Sequence, residues 1–358
     1  MSWVPASRAA VLATTAVYHD ALSSQFLAQS LTTGTLLTPT TRLAKVTAAT
    51  LEAEGIATVY LVGGPKAITT TVAKAVAALT AFGCGGTSPA GKIAVRRIFG
   101  KSAEGTADAI AEHVGSAASL SFAGAYATTD ATGGTGRFND TSGKGASAPA
   151  GSVLTAILAS GKEFQDAQAA SVVSYHTGLP LLLTSPTELS TAALGAIDKL
   201  GIKQVILMGG PDAVSNAVEA ALTQAGVSVL RVAGKDYTDT ARELARFEVA
   251  ASTGGLGWTP GRRVLVARGN GFTDGLAGAV LENARNATTG APGAPRPLLF
   301  TESPTTLGPA LTAFLRSAGA AGPGIGTDHE KVTALTVLGG PLAVSTAVVA
   351  KMRTDLRL

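Results

Sequence analysis

Cysteine is all but missing from this chain. Among 358 residues there is one, Cys84, which excludes an intrachain disulfide and a cysteine-built metal cage. Aromatic residues make up only 5%, too few for the stacking platforms of single-strand nucleic-acid binders. Charge is thin as well. Charged residues account for 15% and leave a net +4, and the Lys and Arg are scattered, without the dense basic run that marks a nucleic-acid surface. No stretch approaches the roughly 18 uninterrupted apolar residues of a membrane span. The opening "MSWVPASRAAVLATTAVYHD" does not read as a signal peptide, because its apolar run is short and closes on Tyr-His-Asp. The chain is therefore either cytoplasmic or a trimmed form of an exported protein.

What the chain has in abundance is small apolar residues and repetition. It is 46% hydrophobic with mean hydropathy +0.30, mostly Ala, Val and Leu interrupted by Thr, Gly or a charge, which suits an α/β protein with a large core. Three corners share one pattern, β-formers then Gly-Gly-Pro: "VYLVGGPKAI" from Val59, "VILMGGPDAV" from Val205 and "TVLGGPLAV" from Thr336. Upstream of each stands an aromatic-x-Asp box, "YHDAL", "FQDAQ" and "FTDGL", carrying Asp20, Asp166 and Asp274. Between box and corner a short apolar strand ends in a hydroxyl at Thr38, Thr184 and Thr301. Asp20 to Thr38 and Asp166 to Thr184 are both 18 positions, and Asp20 to Gly63 and Asp166 to Gly209 are both 43. Such matched offsets mark tandem repeats.

The third copy is longer, 65 positions from Asp274 to Gly339. Its excess lies in "NATTGAPGAPRP" (286–297) and "GAAGPGIGTDHEKV" (319–332), both Gly/Pro-rich as surface insertions are. A further box follows the first two corners, "RIFGKSAEGTADAIAEHV" from Arg97 and "RVAGKDYTDTARELARF" from Arg231. Short strands alternating with helical stretches predict parallel sheets with right-handed crossovers. In the first copy, strands are expected near 10–15, 34–38 and 58–62, with helices near 20–32, 42–54 and 66–80. The fold expected is α/β: three Rossmann-like repeats with small parallel sheets, packed as a pseudo-threefold intramolecular trimer. The repeats divide at 1–115, 116–250 with an inserted loop at 128–150, and 251–358. Residues 83–92 read as a linker.

Each motif has two readings. A Gly-Gly pair at the end of a parallel strand offers bare N–H groups to an anion, and Gly63, Gly64, Gly209, Gly210, Gly339 and Gly340 are candidates for that. Equally, glycine permits the turn and Pro pre-sets helix entry. Asp20, Asp166 and Asp274 either cap the helices that follow or contact a ligand. Thr38, Thr184 and Thr301 lie at strand ends, where a ligand of an open α/β sheet rests. "GKS" at Gly100 is no phosphate loop, because Val95 stands where the motif requires glycine. The four histidines share no metal-ligand spacing. No catalytic constellation, metal site or cofactor motif is read, and the expectation is a protein that is not an enzyme.

Taken together these boxes resemble the cell wall binding repeat 2 family. The likeness rests on "VILMGGPDAVS" (Val205–Ser215), "LTVLGGPLAVS" (Leu335–Ser345), "VYLVGGPKAIT" and "RVAGKDYTDTA" (Arg231–Ala241). The family's second arginine of the last box is replaced by Ala103 and Tyr237. The resemblance implies a cell-surface anchoring module that binds an anionic wall polymer in grooves between three packed repeats, with Arg97, Lys101, Arg231 and Lys235 as the cations beside the Gly pairs. A repetitive polyanion engaging several weak sites would gain avidity. Two other readings stand beside it: a scaffold for a surface layer or larger assembly, meeting protein partners through the insertions, and a nucleotide or sugar-phosphate enzyme.

Overall fold

A computed structural model of the chain describes residues 8–82, 89–117, 119–120, 153–250, 255–258, 262–281, 295–322, 324 and 331–357. Cys84, the loop 128–150, residues 286–294 and, within 319–332, residues 323 and 325–330 lie outside the described residues.

The first repeat runs β1 (Ala9–Thr14), α1 (His19–Ser30), β2 (Thr35–Thr38), α2 (Lys45–Ala53), β3 (Thr58–Val62) and α3 (Thr70–Ala78). A hairpin of β4 (Thr80–Phe82) with β5 (Pro89–Lys92) then leads into β6 (Ala94–Ile98) and α4 (Ala103–Val114). The stretch expected as a linker thus contains a strand. The second repeat holds β7 (Ser119–Leu120), β8 (Val153–Ser160), α5 (Gln165–Thr177), β9 (Leu181–Thr184), α6 (Thr191–Lys199), β10 (Gln204–Met208), α7 (Asn216–Gln224), β11 (Ser228–Val232) and α8 (Tyr237–Val249). The third holds β12 (Arg263–Arg268), α9 (Phe272–Leu281), β13 (Leu298–Thr301), α10 (Pro309–Ala318), β14 (Ala334–Val337) and α11 (Thr346–Leu356).

The sheets share one order. They are β2-β1-β3-β6, then β9-β8-β10-β11 with β7 as an antiparallel extra on β8, then β13-β12-β14. Every other pairing within these three sheets is parallel. The third sheet is one strand short, because the strand that opens each Arg box, β6 or β11, has no third counterpart among the described residues.

The helices after the first two aromatic-x-Asp boxes have no single apolar stripe. Asp20 to Ala28 of α1 are buried without a break, as are Asp166 to Tyr175 of α5. A helix buried all round must have protein on every side, and here it does: α1, α5 and α9 pack pairwise against one another, each also lying on its own first strand. Each reaches onward to the next repeat's second strand, α1 to β9, α5 to β13 and α9 back to β2. Small residues allow this approach, and three of the serines among them bond to nearby carbonyls. Ser24 Oγ donates to Ala21 O (2.7 Å), Ser171 Oγ to Gln168 O (2.7 Å) and Ser174 Oγ to Leu179 O (2.7 Å), which satisfies groups that burial would otherwise penalise. Outer helices are amphipathic instead. In α11 only Val348, Met352 and Leu356, spaced four apart, are buried.

A buried hydrogen bond ties the first two repeats at this seam, Tyr175 OH donating to Thr33 O (2.8 Å). Tyr175→Phe leaves that carbonyl without its donor and should cost about 1–3 kcal/mol, read as a loss of a few degrees in melting temperature. An unchanged melting curve would show that the seam does not rely on it.

Candidate functional site

The Asp boxes and the Gly-Gly-Pro corners, 43 residues apart in the first two copies and 65 in the third, meet in space. Gly63, Gly209 and Gly339 have φ of +106°, +91° and +94°, a region L-residues with a Cβ rarely enter. A Cβ there would strike the Oδ2 of Asp20, Asp166 or Asp274 respectively, and the methyl of Ala67, Ala213 or Ala343. Each Asp side chain lies against the first glycine of its own corner. The three aspartates are not N-caps: Asp20 and Asp166 are the second residues of α1 and α5, whose cap residues Tyr18 and Phe164 accept no side-chain bond. Nor does Pro start a helix. A turn closed by Ala67 and Ile68 N–H on Gly64 O precedes α3, as Ala213 and Val214 on Gly210 O precede α7.

The Arg boxes complete the corners. Strand β6 lies beside β3 and β11 beside β10, so that Gly63 N–H donates to Ile98 O (2.9 Å) and Gly209 N–H to Val232 O (2.8 Å). Arg97 donates to Gly63 O (2.6 Å) and Ile68 O (2.8 Å). Arg231 donates to Gly209 O (2.7 Å), Val214 O (2.8 Å) and Glu219 Oε2 (2.9 Å), and is only 3% exposed. These contacts engage the first two corners within the fold. In the first two repeats the leading amide is taken by a strand, the guanidinium by carbonyls, and a carboxylate already occupies the concavity.

Thr38 and Thr184 are likewise fully buried and engaged. Thr38 Oγ1 donates to Arg42 O (2.9 Å) and accepts from Ala44 N–H (2.9 Å), and Thr184 Oγ1 does the same with Glu188 O and Ser190 N–H (2.9 Å each). They fasten the loop that enters the next helix rather than facing a ligand. Thr301 Oγ1 is buried with no such partner.

Beyond the corner each Arg box crosses to the following repeat. Helix α4 packs on β9 and α6, and α8 on β13 and α10. At the first junction Glu104 lies against Gly161, and the Lys199–Glu112 ion pair (2.7 Å) joins α6 to α4. At the second, Tyr237 presses its ring on Gly269 and donates its hydroxyl to Glu302 O (3.0 Å). Lys101 and Lys235 are exposed in the box turns, and Lys162 is exposed beside Gly161 in the chain. The rims also carry carboxylates, Glu104 and Glu163 at the first, Asp236 and Glu302 at the second.

The aromatic of each Asp box has a role that the sequence reading did not assign. Tyr18, Phe164 and Phe272 meet in one cluster, with ring centroids 5.6, 6.3 and 6.3 Å apart. Around it, Tyr18 OH donates to Gly161 O (3.1 Å), and His19 Nε2 lies 2.7 Å from the same oxygen. The signal was present, an aromatic two residues before every Asp.

Burial raises the carboxyls of Asp20 and Asp166. At Asp20 the charge of His19 and a hydrogen bond from Thr106 partly offset it. At Asp166 the N-cap of the box helix is Asp236 where the first repeat has Ser102, so a second carboxylate adds to burial and the group rises to about 7. In the third repeat Asp274 is half-buried and faces Arg268 at 3.4 Å. A folded-state value above the ordinary one of about 3.9 means that the unfolded chain releases this proton first. Stability is then lost as pH rises from about 4 to about 7 and is level above that, an effect on the order of 4 kcal/mol. Asp166→Asn removes the titration. The difference in melting temperature between variant and parent should shift in the variant's favour between pH 4 and 7, and parallel profiles would refute the assignment. The opposite window of buried His176, lowered to about 4, is common to both proteins and cancels.

Among the described residues no cluster of His, Cys, Asp and Glu is arranged to hold a metal ion, and no helix is long and apolar enough to cross a membrane. The family model Cell wall binding domain 2 (CWB2) matches residues 97–219 and 231–349, so that each match opens on the arginine of a box. The chain is 28% identical over 204 residues to N-acetylmuramoyl-L-alanine amidase LytC of Bacillus subtilis, covering 57% of this chain and 35% of that protein. Two solved structures share the fold: Cwp8 from Clostridium difficile, with TM-score 0.64 and 19% identity, and Cwp6 from Clostridium difficile, with TM-score 0.63 and 15% identity. They align with 100% and 97% of this chain, which spans 49% and 44% of theirs.

Proposed function

The chain belongs to the cell wall binding domain 2 family, and from that premise we propose that it is a non-enzymatic anchor that holds an anionic wall polymer along the junctions between its repeats. The family match over both box-to-corner stretches carries the reading, and a binding role at the cell wall follows from it. The polymer, the site and the cell-surface location are our extension. So are the division into repeats at 1–115, 116–250 and 251–358 and their pseudo-threefold packing, which the mutual burial of α1, α5 and α9 supports.

The geometry narrows where a polymer would lie. The arginines and the first glycines of the first two corners are engaged internally, which leaves Lys101 and Lys235 as the box cations we favour, exposed in the turn between the strand and helix of each box. Each sits where one repeat's box rides over the next repeat, and the two junctions share one construction. A repetitive ligand could bridge them, and two weak contacts on one polymer raise avidity by roughly 10²–10⁴ without a strong site at either. The carboxylates on the same rims keep each single contact weak and make it sensitive to salt.

The test is sedimentation of the chain with Gram-positive sacculi, intact and after acid removal of the anionic polymer, across a salt series. Binding that requires the polymer and falls with salt is expected. The double variant Lys101→Glu, Lys235→Glu should weaken it by about tenfold. Polymer-dependent pelleting that the variant leaves unchanged would move the site away from the junctions, and absence of pelleting throughout would refute polymer anchoring.

A further inference from the structure

The turn between β12 and α9 carries a chemistry that its two counterparts lack. It reads Gly269-Asn270-Gly271, between Arg268 at the end of the strand and Phe272 at the start of the helix. Asn270-Gly271 is the one Asn-Gly pair in the sequence. Counted back from the Asp of each box, the same positions hold Ala16-Val17 in the first copy and Lys162-Glu163 in the second. Asn270 is exposed, so water reaches its carboxamide. Gly271 has no Cβ to hinder the approach of its nitrogen to that group. A second pair able to form an imide, Asp274-Gly275, lies inside α9, where the helix holds the backbone and Gly275 is buried against the Gln168 carboxamide.

What the fold adds to the exposed pair is a guanidinium. A Cβ on Gly271 would fall 2.5 Å from Nε of Arg268 and 2.8 Å from its Cζ and Nη2, so the head of Arg268 lies against Gly271. Its Nε is buried and makes no hydrogen bond, and its ion pair with Asp274, Nε to Oδ2, is long at 3.4 Å. A positive charge in this place favours loss of the Gly271 amide proton and stabilises the oxyanion that forms when the nitrogen attacks.

We propose that Asn270 is a site of spontaneous deamidation, promoted by Arg268, whose products act on the contact between the second and third repeats. The Gly271 N–H gives its proton to solvent base, and the nitrogen bonds to Cγ of Asn270. The bond from Cγ to the side-chain nitrogen breaks, ammonia leaves with a proton from water, and a five-membered imide remains. Water then opens the imide at either carbonyl, giving aspartate or an isoaspartyl linkage. Either product sets a carboxylate two residues from Arg268, in competition with Asp274, whose own carboxylate lies against Gly339. The isoaspartyl product also adds a methylene carbon to the main chain two residues before Phe272. That residue's ring belongs to the aromatic cluster, and its carbonyl accepts from Gln168 Nε2 (3.1 Å). The lengthened turn therefore loosens α9 from α5.

The test is incubation of the full chain in mildly alkaline buffer, followed by peptide mapping with mass spectrometry and labelling by an isoaspartyl methyltransferase. Conversion at Asn270 to aspartyl and isoaspartyl products, with none at Asp274, is expected. Arg268→Gln should slow it about fivefold, the effect of one charge at contact distance in water, and Arg268→Lys should restore most of the rate. In denaturant, where Arg268 no longer rests on Gly271, parent and variants should convert alike. Aged parent should melt at a lower temperature than fresh parent, whereas Asn270→Gln aged in parallel should not change. An intact Asn270 in the folded chain, or equal rates in folded parent and Arg268→Gln, would overturn the proposal. A rate difference that persisted in denaturant would do so too, since the effect would then belong to the sequence and not to the fold. Unchanged melting of the aged parent would overturn the effect on the contact between repeats.

Discussion

The mutual burial of α1, α5 and α9 is the constraint on which the other features rest. Three helices rich in Ala, Ser and Gly can approach closely because little side chain separates them, and close approach leaves α1 and α5 buried without a break from Asp20 to Ala28 and from Asp166 to Tyr175. A small parallel sheet with helices on one side would have a poorly covered core by itself. Here each sheet's inner helix is covered by the helices of the other two repeats, and each helix also rests on the next repeat's second strand. Repeat proteins of the stacked kind gain stability from nearest neighbours along a line. In this chain the contacts return from the third repeat to the first, through α9 and β2.

The Asp–glycine corner fixes where that shared core ends. The carboxylate at the start of the inner helix sits against the positive-φ glycine at the end of the third strand, so helix and sheet are locked at the end where ligands of α/β folds usually bind. The Arg box then extends the sheet by one strand, pins the corner's carbonyls and carries its helix over to the next repeat. Box and corner together are a joint. The family match begins each unit at the box, whereas in space the box strand belongs to the preceding sheet and the box helix bridges two repeats. This explains how one motif can serve the packing of two repeats at once.

Much of this was legible in the sequence, for a definite reason. Parallel crossovers of fixed length repeat the same offsets, so Asp20, Thr38 and Gly63 announced their counterparts Asp166, Thr184 and Gly209, and the strands near 58–62 and 34–38 followed. Roles were harder to read than positions. A threonine at a strand end looks poised for a ligand, but Thr38 and Thr184 bind carbonyls four residues on, which only the loop's path reveals. Arg231 looked like a surface cation because its acceptors, Gly209 O, Val214 O and Glu219, come together only once β11 lies beside β10. The aromatic cluster of Tyr18, Phe164 and Phe272 needed three repeats to be placed in space before one ring from each could be seen to meet.

Whether the three repeats truly share one core can be measured by differential scanning calorimetry of the full chain. Mutual burial of α1, α5 and α9 predicts a single unfolding transition whose calorimetric and van't Hoff enthalpies agree, since no repeat keeps its inner helix covered once another has opened. Two or three resolved transitions, each with the enthalpy of one repeat, would contradict it and make the repeats independent domains joined by their boxes.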